Sequence, residues 1–170
     1  MPIQRLNHAV LFITDLDRSV DFYTRALGFR TVHTIPGQAA FLQAEGSAND
    51  HDLGLFAMGA QAQPSGAGRS TVGLYHLAWE VDTLAELQRI ALILEGAGAL
   101  VGAANHGTTK ALYAKDPDGL EFEVSWLVPA HLIDESTDTM ITERLDLAAE
   151  IQRYGDLTPG GVGVSHRATL

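Results

Sequence analysis

Two histidines and one glutamate in this sequence have the types and the spacing of metal ligands. His8 and His76 lie 68 positions apart in two similar stretches, LNHAVLFITDLDRSVDFYTRALGFRTV and LYHLAWEVDTLAELQRIALILEGAGAL. The same separation relates Glu123, in the stretch GLEFEVSW, to Leu55. Two neutral imidazoles and one carboxylate with open coordination positions are typical of non-haem Fe(II) oxygen chemistry. The spacing predicts a metal site of His8, His76 and Glu123, with the apolar Leu55 in the fourth equivalent place.

The two stretches are copies of one unit, because the offset of 68 persists through a strand, a helix and the following turn. Leu16 corresponds to Leu84, and Gly28 corresponds to Gly96. Each copy predicts a strand, a helix and three more strands. Asp15 or Asp17 is the predicted N-cap of the first helix, and Gly28 is its stop. The predicted helices are residues 17–27 and 83–96, and the predicted strands are 5–14, 29–34, 39–44, 52–58, 73–81, 99–103, 110–115 and 120–127.

This pattern predicts an α+β fold in which two tandem βαβββ modules form a curved mixed sheet around a metal site, followed by a C-terminal helical extension. Apolar residues at helical spacing predict one amphipathic helix over residues 134–155. Phe12 is assigned to core packing. The predicted segments are a first module at 1–58, a Gly/Ser/Pro-rich linker at 59–72, a second module at 73–128, and a C-terminal helix and irregular tail at 129–170.

The composition excludes several classes of function. A formal charge of −10 and a pI near 4.9 argue against a nucleic-acid partner or an anionic membrane. Cysteine is absent from the 170 residues, so disulfides, zinc–thiolate sites and thiol nucleophiles are excluded. The sequence shows no signal-peptide pattern and no apolar run that would span a bilayer. We therefore expect a cytoplasmic protein.

Three stretches, LNHAVLFITDLDRSVDFYTRALGF, GLYHLAWEV and ALYAKDPDGLEFEV, resemble the vicinal oxygen chelate superfamily of glyoxalase I, bleomycin-resistance proteins and dioxygenases. The resemblance covers residues 3–127, and within the superfamily it is greatest to type I extradiol, catechol 2,3-dioxygenase-like enzymes. It implies that His8, His76 and Glu123 are the metal ligands. It further implies three catalytic residues, which are His51 in NDHDLGLF, His106 in NHGTTKALY and Tyr113, ten residues before Glu123.

The resemblance also implies a reaction, in which an Fe(II)-dependent dioxygenase of aromatic compound catabolism opens a catechol-type ring with O2. Mn(II) or another divalent metal is an alternative cofactor. Tyr113 would accept or relay a catechol proton, His51 would act as acid or base on the oxygen side, and His106 would hydrogen-bond a substrate oxygen. The implied partners are a small aromatic diol and O2, in a homodimer or larger homo-oligomer.

Two other functions remain open from the sequence. One is a glyoxalase-like metal-dependent lyase or isomerase, and the other is a non-catalytic drug-binding protein of the bleomycin-resistance type. Lyases of this kind use four protein ligands, which Leu55 does not favour, whereas drug-binding members lack the ligand set of His8, His76 and Glu123.

Overall fold

The computed structural model describes residues 2–3, 5–67, 70–137 and 141–161. The chain divides into two compact units. Unit 1 comprises Met1–Gly66 together with Asp116–Gly119, and unit 2 comprises Ala67–Lys115 together with Leu120–Leu170. The predicted α+β class and the βαβββ order of both copies are confirmed. None of the helices in the described ranges is long and apolar enough to cross a membrane.

Unit 1 contains one mixed sheet of four strands and one helix. The sheet has the order β1-β4-β3-β2, in which β1 and β4 are parallel and the other neighbours are antiparallel. Its elements are β1 (Ala9–Ile13), α1 (Leu16–Leu27), β2 (Arg30–Ile35), β3 (Ala39–Gln43) and β4 (Leu53–Ala57). The helix connects β1 to β2 and buries its apolar face against the sheet.

Both ends of α1 follow from local chemistry. Asp15 is the N-cap, and its side chain accepts a hydrogen bond of 2.9 Å from the backbone N–H of Arg18. Gly28 ends the helix with φ at 73°, a left-handed conformation that glycine adopts without steric cost. The predicted cap and stop are therefore confirmed, with Asp15 rather than Asp17 as the cap.

The Asp116–Gly119 turn belongs to unit 1 and forms hydrogen bonds near the start and in the middle of α1. Asp118 accepts hydrogen bonds from the Thr14 backbone N–H at 3.0 Å and from the Arg18 guanidinium at 2.7 Å. The buried Tyr23 hydroxyl donates to Asp116 at 3.0 Å. A buried hydroxyl that keeps an acceptor avoids the cost of losing its hydration, so this turn is part of the structure of unit 1.

Unit 2 repeats the arrangement and adds one strand. Its sheet has the order β5-β8-β7-β6-β9, with β5 and β8 parallel. Thr83 caps the helix α2 by accepting a hydrogen bond from the Glu86 backbone N–H, and four apolar residues of α2 form its buried face. The elements are β5 (Leu77–Glu80), α2 (Leu84–Gly96), β6 (Leu100–Asn105), β7 (Thr109–Lys115), β8 (Glu121–Leu127), a 3-10 turn (Ala130–Leu132), β9 (Glu143–Arg144) and α3 (Leu147–Tyr154).

Leu55 was predicted to be the counterpart of Glu123 in unit 1. The pairing of the parallel strands shows that this prediction is wrong by one residue. In unit 1, Leu55 pairs with Leu11 and is 0% exposed, so both side chains face the core. In unit 2, Glu123 pairs with Ala78, whose counterpart in β1 by the repeat is Val10. Since side chains alternate between the two faces of a strand, one step of register moves a residue to the opposite face.

Gly54 is therefore the unit 1 counterpart of Glu123. It pairs with Val10 on the face away from the core, and a Cβ built on it would lie 3.4 Å from a methyl group of Val10. The conclusion that unit 1 offers no carboxylate at this place still holds, because glycine has no side chain. Phe12 lies on the same face and is 69% exposed, so its assignment to core packing is wrong.

The amphipathic helix predicted over residues 134–155 is wrong for residues 134–137 and 141–146. The Asp134 carboxylate instead accepts hydrogen bonds of 2.7–3.0 Å from the backbone N–H groups and hydroxyls of Ser136 and Thr137, which form a turn. These donors hold the pKa of Asp134 at about 2. Short polar side chains that hydrogen-bond to nearby backbone groups compete with helix formation, and here the turn forms in place of the helix.

The helical part of the extension is short. The helix α3 spans Leu147–Tyr154, and its N-cap Asp146 accepts a hydrogen bond of 3.0 Å from the Ala149 backbone N–H. Before it, β9 pairs antiparallel with β6. Met140, which the helix prediction placed on the apolar face, and the tail residues 162–170 lie outside the described residues.

The described end of the tail packs closely on the core of unit 2. The backbone N–H of Gly160 donates to the Asp82 carbonyl at 2.8 Å, and that of Gly161 donates to the Leu127 carbonyl at 3.1 Å. A Cβ added at Gly160 would overlap the indole of Trp126 and the Leu127 carbonyl, so only glycine fits there.

Candidate functional site

The centre of the candidate site in unit 2 is a contact between His76 and Glu123. His76 Nε2 lies 3.2 Å from Glu123 Oε2. Both side chains are mostly buried, at 25% and 13% exposure. His76 Nδ1 is buried and has no hydrogen-bond partner among the residues that the structure describes. The polar contact of this imidazole is therefore made through Nε2, on the side of the glutamate.

The His76–Glu123 pair fits a divalent metal ion. Histidine nitrogen and carboxylate oxygen bind such ions at about 2.0–2.2 Å, which puts two neighbouring ligands at right angles about 3 Å apart. The observed separation of 3.2 Å matches that spacing. Imidazole and carboxylate are also the donor types that non-haem iron and manganese accept. His76 and Glu123 are two of the three residues predicted as ligands.

Glu123 differs in its contacts from Glu121, which lies two residues earlier on β8. Glu121 lies 3.5 Å from the Lys115 ammonium and is partly exposed, whereas Glu123 contacts an imidazole. Both carboxylates extend from one face of the strand because their positions differ by two. The structure therefore gives the two glutamates different partners.

Tyr113 and His106 form a second contact next to this pair. Tyr113 on β7 lies directly opposite Glu123 on β8, and its ring centroid is 5.9 Å from that of His76. Tyr113 Oη lies 2.9 Å from His106 Nε2. Burial and, secondarily, the negative charge of Glu123 raise the pKa of Tyr113, which keeps the phenol protonated at neutral pH. Unit 2 thus brings together four of the predicted residues.

The other two predicted residues meet in unit 1. The ring centroids of His8 and His51 are 4.5 Å apart, and His8 Nδ1 lies 2.7 Å from Asn7 Oδ1. His51 also packs edge-on against Phe41, with the centroids 5.1 Å apart. Across the described ranges, no three histidine, aspartate or glutamate side chains form a complete metal cluster. His8 remains a predicted ligand on the basis of the repeat.

The sequence reasoning missed a residue that contacts the site. Thr142 Oγ1 lies 3.2 Å from His106 Nδ1, and it comes from the segment that was predicted as helix. The β-branched residues Ile141 and Thr142 were an available signal, because such residues favour strands over helices. The segment that follows them is indeed the strand β9.

The family model described as "Glyoxalase/Bleomycin resistance protein/Dioxygenase superfamily" matches residues 5–124, which is more than half of the chain. The chain belongs to this superfamily. The match confirms the predicted membership of the vicinal oxygen chelate proteins. It ends within β8, directly after Glu123, so β9 and α3 lie beyond it.

Similar curated members of the superfamily carry different activities in their names. A "Catechol-2,3-dioxygenase" of Bacillus subtilis (strain 168) is 29% identical over 89% of this chain and 52% of its own length. A "Biphenyl-2,3-diol 1,2-dioxygenase 3" of Rhodococcus globerulus is 32% identical over 80% of this chain and 70% of its own. A "Lactoylglutathione lyase" of Escherichia coli O157:H7 is 28% identical, over 71% and 90%. The chain spans about half of the Bacillus enzyme.

Solved structures of the superfamily share the fold. A glyoxylase/bleomycin resistance protein/dioxygenase domain from Frankia sp. EAN1pec superposes with a TM-score of 0.62 at 21% identity, over 78% of this chain and 98% of that one. A lactoylglutathione lyase from Agrobacterium tumefaciens gives 0.55 at 22% identity, over 74% and 95%. At these identities the likeness establishes the glyoxalase fold of this superfamily member.

Proposed function

We propose that this protein is an Fe(II)-dependent extradiol dioxygenase that opens a catechol-type ring with O2, and that His8, His76 and Glu123 hold the metal. The observation that carries the proposal is the 3.2 Å contact of His76 with Glu123, directly opposite Tyr113. Two of the similar proteins described above carry dioxygenase names and support the same reaction class. Mn(II) would fit the same donor atoms.

The bound Fe(II) would supply chelation of two adjacent catechol oxygens and the one-electron chemistry that O2 requires. His8 and His76 would bind the ion as neutral imidazoles, and Glu123 would bind it as a carboxylate. Because Gly54 has no side chain, unit 1 would add no fourth donor at this place, and coordination positions would remain for both reactants.

Three residues handle protons in this proposal. Tyr113 accepts the proton of a catechol hydroxyl while its own proton passes to His106, 2.9 Å away. His51, beside the proposed ligand His8, supplies or takes the proton needed on the oxygen side.

The decisive experiment is anaerobic loading of the protein with Fe(II), followed by catechols and O2. We expect consumption of O2 and formation of the yellow ring-cleavage product. A protein that takes up no metal would refute every metal-dependent function. Metal uptake without O2 consumption over a broad panel of catechols would refute the dioxygenase proposal.

A lactoylglutathione lyase activity is the second candidate. It is favoured by the similarity to the Escherichia coli lactoylglutathione lyase, which is 28% identical over 71% of this chain and 90% of its own length. The absence of a carboxylate at Gly54 weighs against it, since four-ligand sites need a donor there. Turnover of lactoylglutathione by the Zn(II)- or Ni(II)-loaded protein, without ring cleavage by the Fe(II) form, would establish this candidate instead.

Replacing His51 with alanine is expected to leave metal affinity unchanged and to lower turnover by about 100-fold, as the loss of a general acid or base does. His33→Ala is the matched control, because the His33 ring also contacts Phe41, at 6.0 Å, but has no proposed role. Metal titration and steady-state kinetics on both variants make the test. Loss of metal from His51→Ala alone would mean that His51 is a ligand.

A further inference from the structure

His106 lies between two hydroxyl groups. Its Nε2 atom is 2.9 Å from Tyr113 Oη, and its Nδ1 atom is 3.2 Å from Thr142 Oγ1. A neutral imidazole has one N–H donor and one acceptor nitrogen, so a partner that fixes one nitrogen also decides what the other can do. Thr142 lies in the extension, beyond the part of the chain that the superfamily model matches.

The backbone of unit 2 places Thr142 beside His106. In the antiparallel pair of β6 and β9, Ala104 pairs with Arg144 and Asn105 pairs with Glu143. One further step of the same register brings His106 opposite Thr142. The strand pairing therefore ends one step before His106 and Thr142 and brings these two residues opposite each other.

A buried polar cluster holds the loop that carries His106. Asn105 Oδ1 accepts hydrogen bonds from the Gly107 backbone N–H at 3.0 Å and from the Lys110 ammonium at 2.7 Å. Lys110 in turn contacts Glu150 of α3 at 3.1 Å. Both elements of the extension, β9 and α3, thus reach the residues that flank His106.

The chemistry of the three groups favours one arrangement of protons. A phenol is a better hydrogen-bond donor than an aliphatic hydroxyl, and a neutral imidazole nitrogen is a good acceptor. Tyr113 O–H donates to Nε2 when the imidazole proton is on Nδ1, whereas in the other tautomer Tyr113 Oη would accept from Nε2–H. The Nδ1–H group then needs an acceptor, and Thr142 Oγ1 is within reach. In this arrangement the lone pairs of Tyr113 Oη stay available for a substrate hydroxyl.

We propose that Thr142 is a positioning residue, whose hydroxyl oxygen accepts from His106 Nδ1–H and thereby keeps Nε2 as the acceptor for Tyr113. The catalytic consequence rests on the dioxygenase function proposed above. The position of the proton on the His106 imidazole does not depend on that function, and it is measurable in the metal-free protein. Thr142 would thus add to the site a residue from beyond residues 5–124, the region that the superfamily model matches.

The test is long-range ¹H–¹⁵N NMR of the histidine rings in the metal-free protein, with His106→Asn used to assign the resonances. We expect the Nδ1–H tautomer in the wild type. Thr142→Val removes the acceptor at nearly constant volume and should shift His106 to the Nε2–H tautomer, whereas Thr142→Ser should retain Nδ1–H. The same tautomer in the wild type and in Thr142→Val would overturn the proposal.

Kinetics provide the second readout. Thr142→Val is expected to lower kcat for ring cleavage by about tenfold with KM within about twofold, because a misplaced proton acceptor affects the transition state more than binding. Thr142→Ser should recover most of kcat, and Thr31→Val, at an exposed site on β2, should change neither constant. An unchanged kcat in Thr142→Val would overturn the proposed effect of Thr142 on catalysis. If the wild type has no ring-cleavage activity, the tautomer comparison still decides the position of Thr142.

Discussion

Replacing Glu123 with alanine is expected to weaken Mn(II) or Fe(II) binding by more than about 100-fold. The carboxylate contributes one of three proposed ligands and the only negative charge among them, and removal of groups that merely orient ligands already costs about 10–100-fold. The contact of 3.2 Å between Glu123 and His76 places the two donor atoms at ligand spacing. Isothermal titration with Mn(II) measures the loss directly, without any need for turnover.

Glu121→Ala is the matched control for this prediction. It removes the same side chain from the same strand face, but Glu121 contacts Lys115 near the surface and has no metal-binding partner in the proposal. We expect its Mn(II) affinity to stay within about twofold of the wild type, as surface ion pairs contribute little. Equal losses in both variants would contradict the assignment of Glu123 as the ligand.

Lys110→Met is expected to lower the free energy of unfolding of unit 2 by about 3 kcal/mol. The Lys110 side chain is 1% exposed and lies 3.1 Å from Glu150, so the substitution leaves a buried carboxylate without its counter-ion. Removal of one member of a buried pair typically costs about 3–5 kcal/mol. Both tryptophans of the chain, Trp79 and Trp126, lie in unit 2, so their fluorescence in a urea titration reports this unit.

The double variant Lys110→Met/Glu150→Leu should recover most of the lost stability, because it replaces the whole pair with apolar groups. Arg89→Met is the control, since it breaks the exposed pair with Glu86 on α2 and should cost less than about 1 kcal/mol. A double variant as unstable as the single one would mean that Lys110 stabilises the unit through other contacts, such as the Tyr154 ring.

The same lysine predicts the sign of a pH effect. Burial lowers the pKa of Lys110, although Glu150 acts in the opposite direction. The unfolded chain therefore binds this proton more tightly than the folded chain does. The stability that the group contributes is complete above the ordinary pKa of 10.5 and is lost as the pH falls through the lower folded value. The stability advantage of the wild type over Lys110→Met should grow from neutral pH toward 10.5.

The repeat in the sequence predicted much of the fold and the contact between Glu123 and His76. The predicted helix starts at residues 17 and 83 lie within one residue of the observed starts at Leu16 and Leu84, and Asp15 and Gly28 marked the ends of α1. These features follow from local signals, because caps, glycine stops and apolar periodicity act within one or two turns. The pairing of Glu123 with His76 followed from strand alternation together with the repeat.

The errors arose where non-local contacts decide the structure. Leu55 was placed on the wrong face because the pairing of the parallel strands differs by one residue between the two units, which a sequence offset does not reveal. The extension was predicted as helix because its apolar spacing suited one, but Asp134 forms a local turn and β9 pairs with β6. The contact of Thr142 with His106 depends on that pairing and was therefore outside the reach of sequence patterns.

The Asp116–Gly119 turn has a consequence for the order of folding during synthesis. Its hydrogen bonds join positions 93–104 apart in sequence, from Tyr23 in α1 to Asp116 and from Thr14, two residues before α1, to Asp118. A chain leaves the ribosome from its amino terminus, so α1 emerges long before these acceptors exist. Closing such long loops is also slow, because their entropy must be lost before the contact forms. Unit 1 is thus translated first but completed only after the strands β5, β6 and β7 of unit 2 have been made.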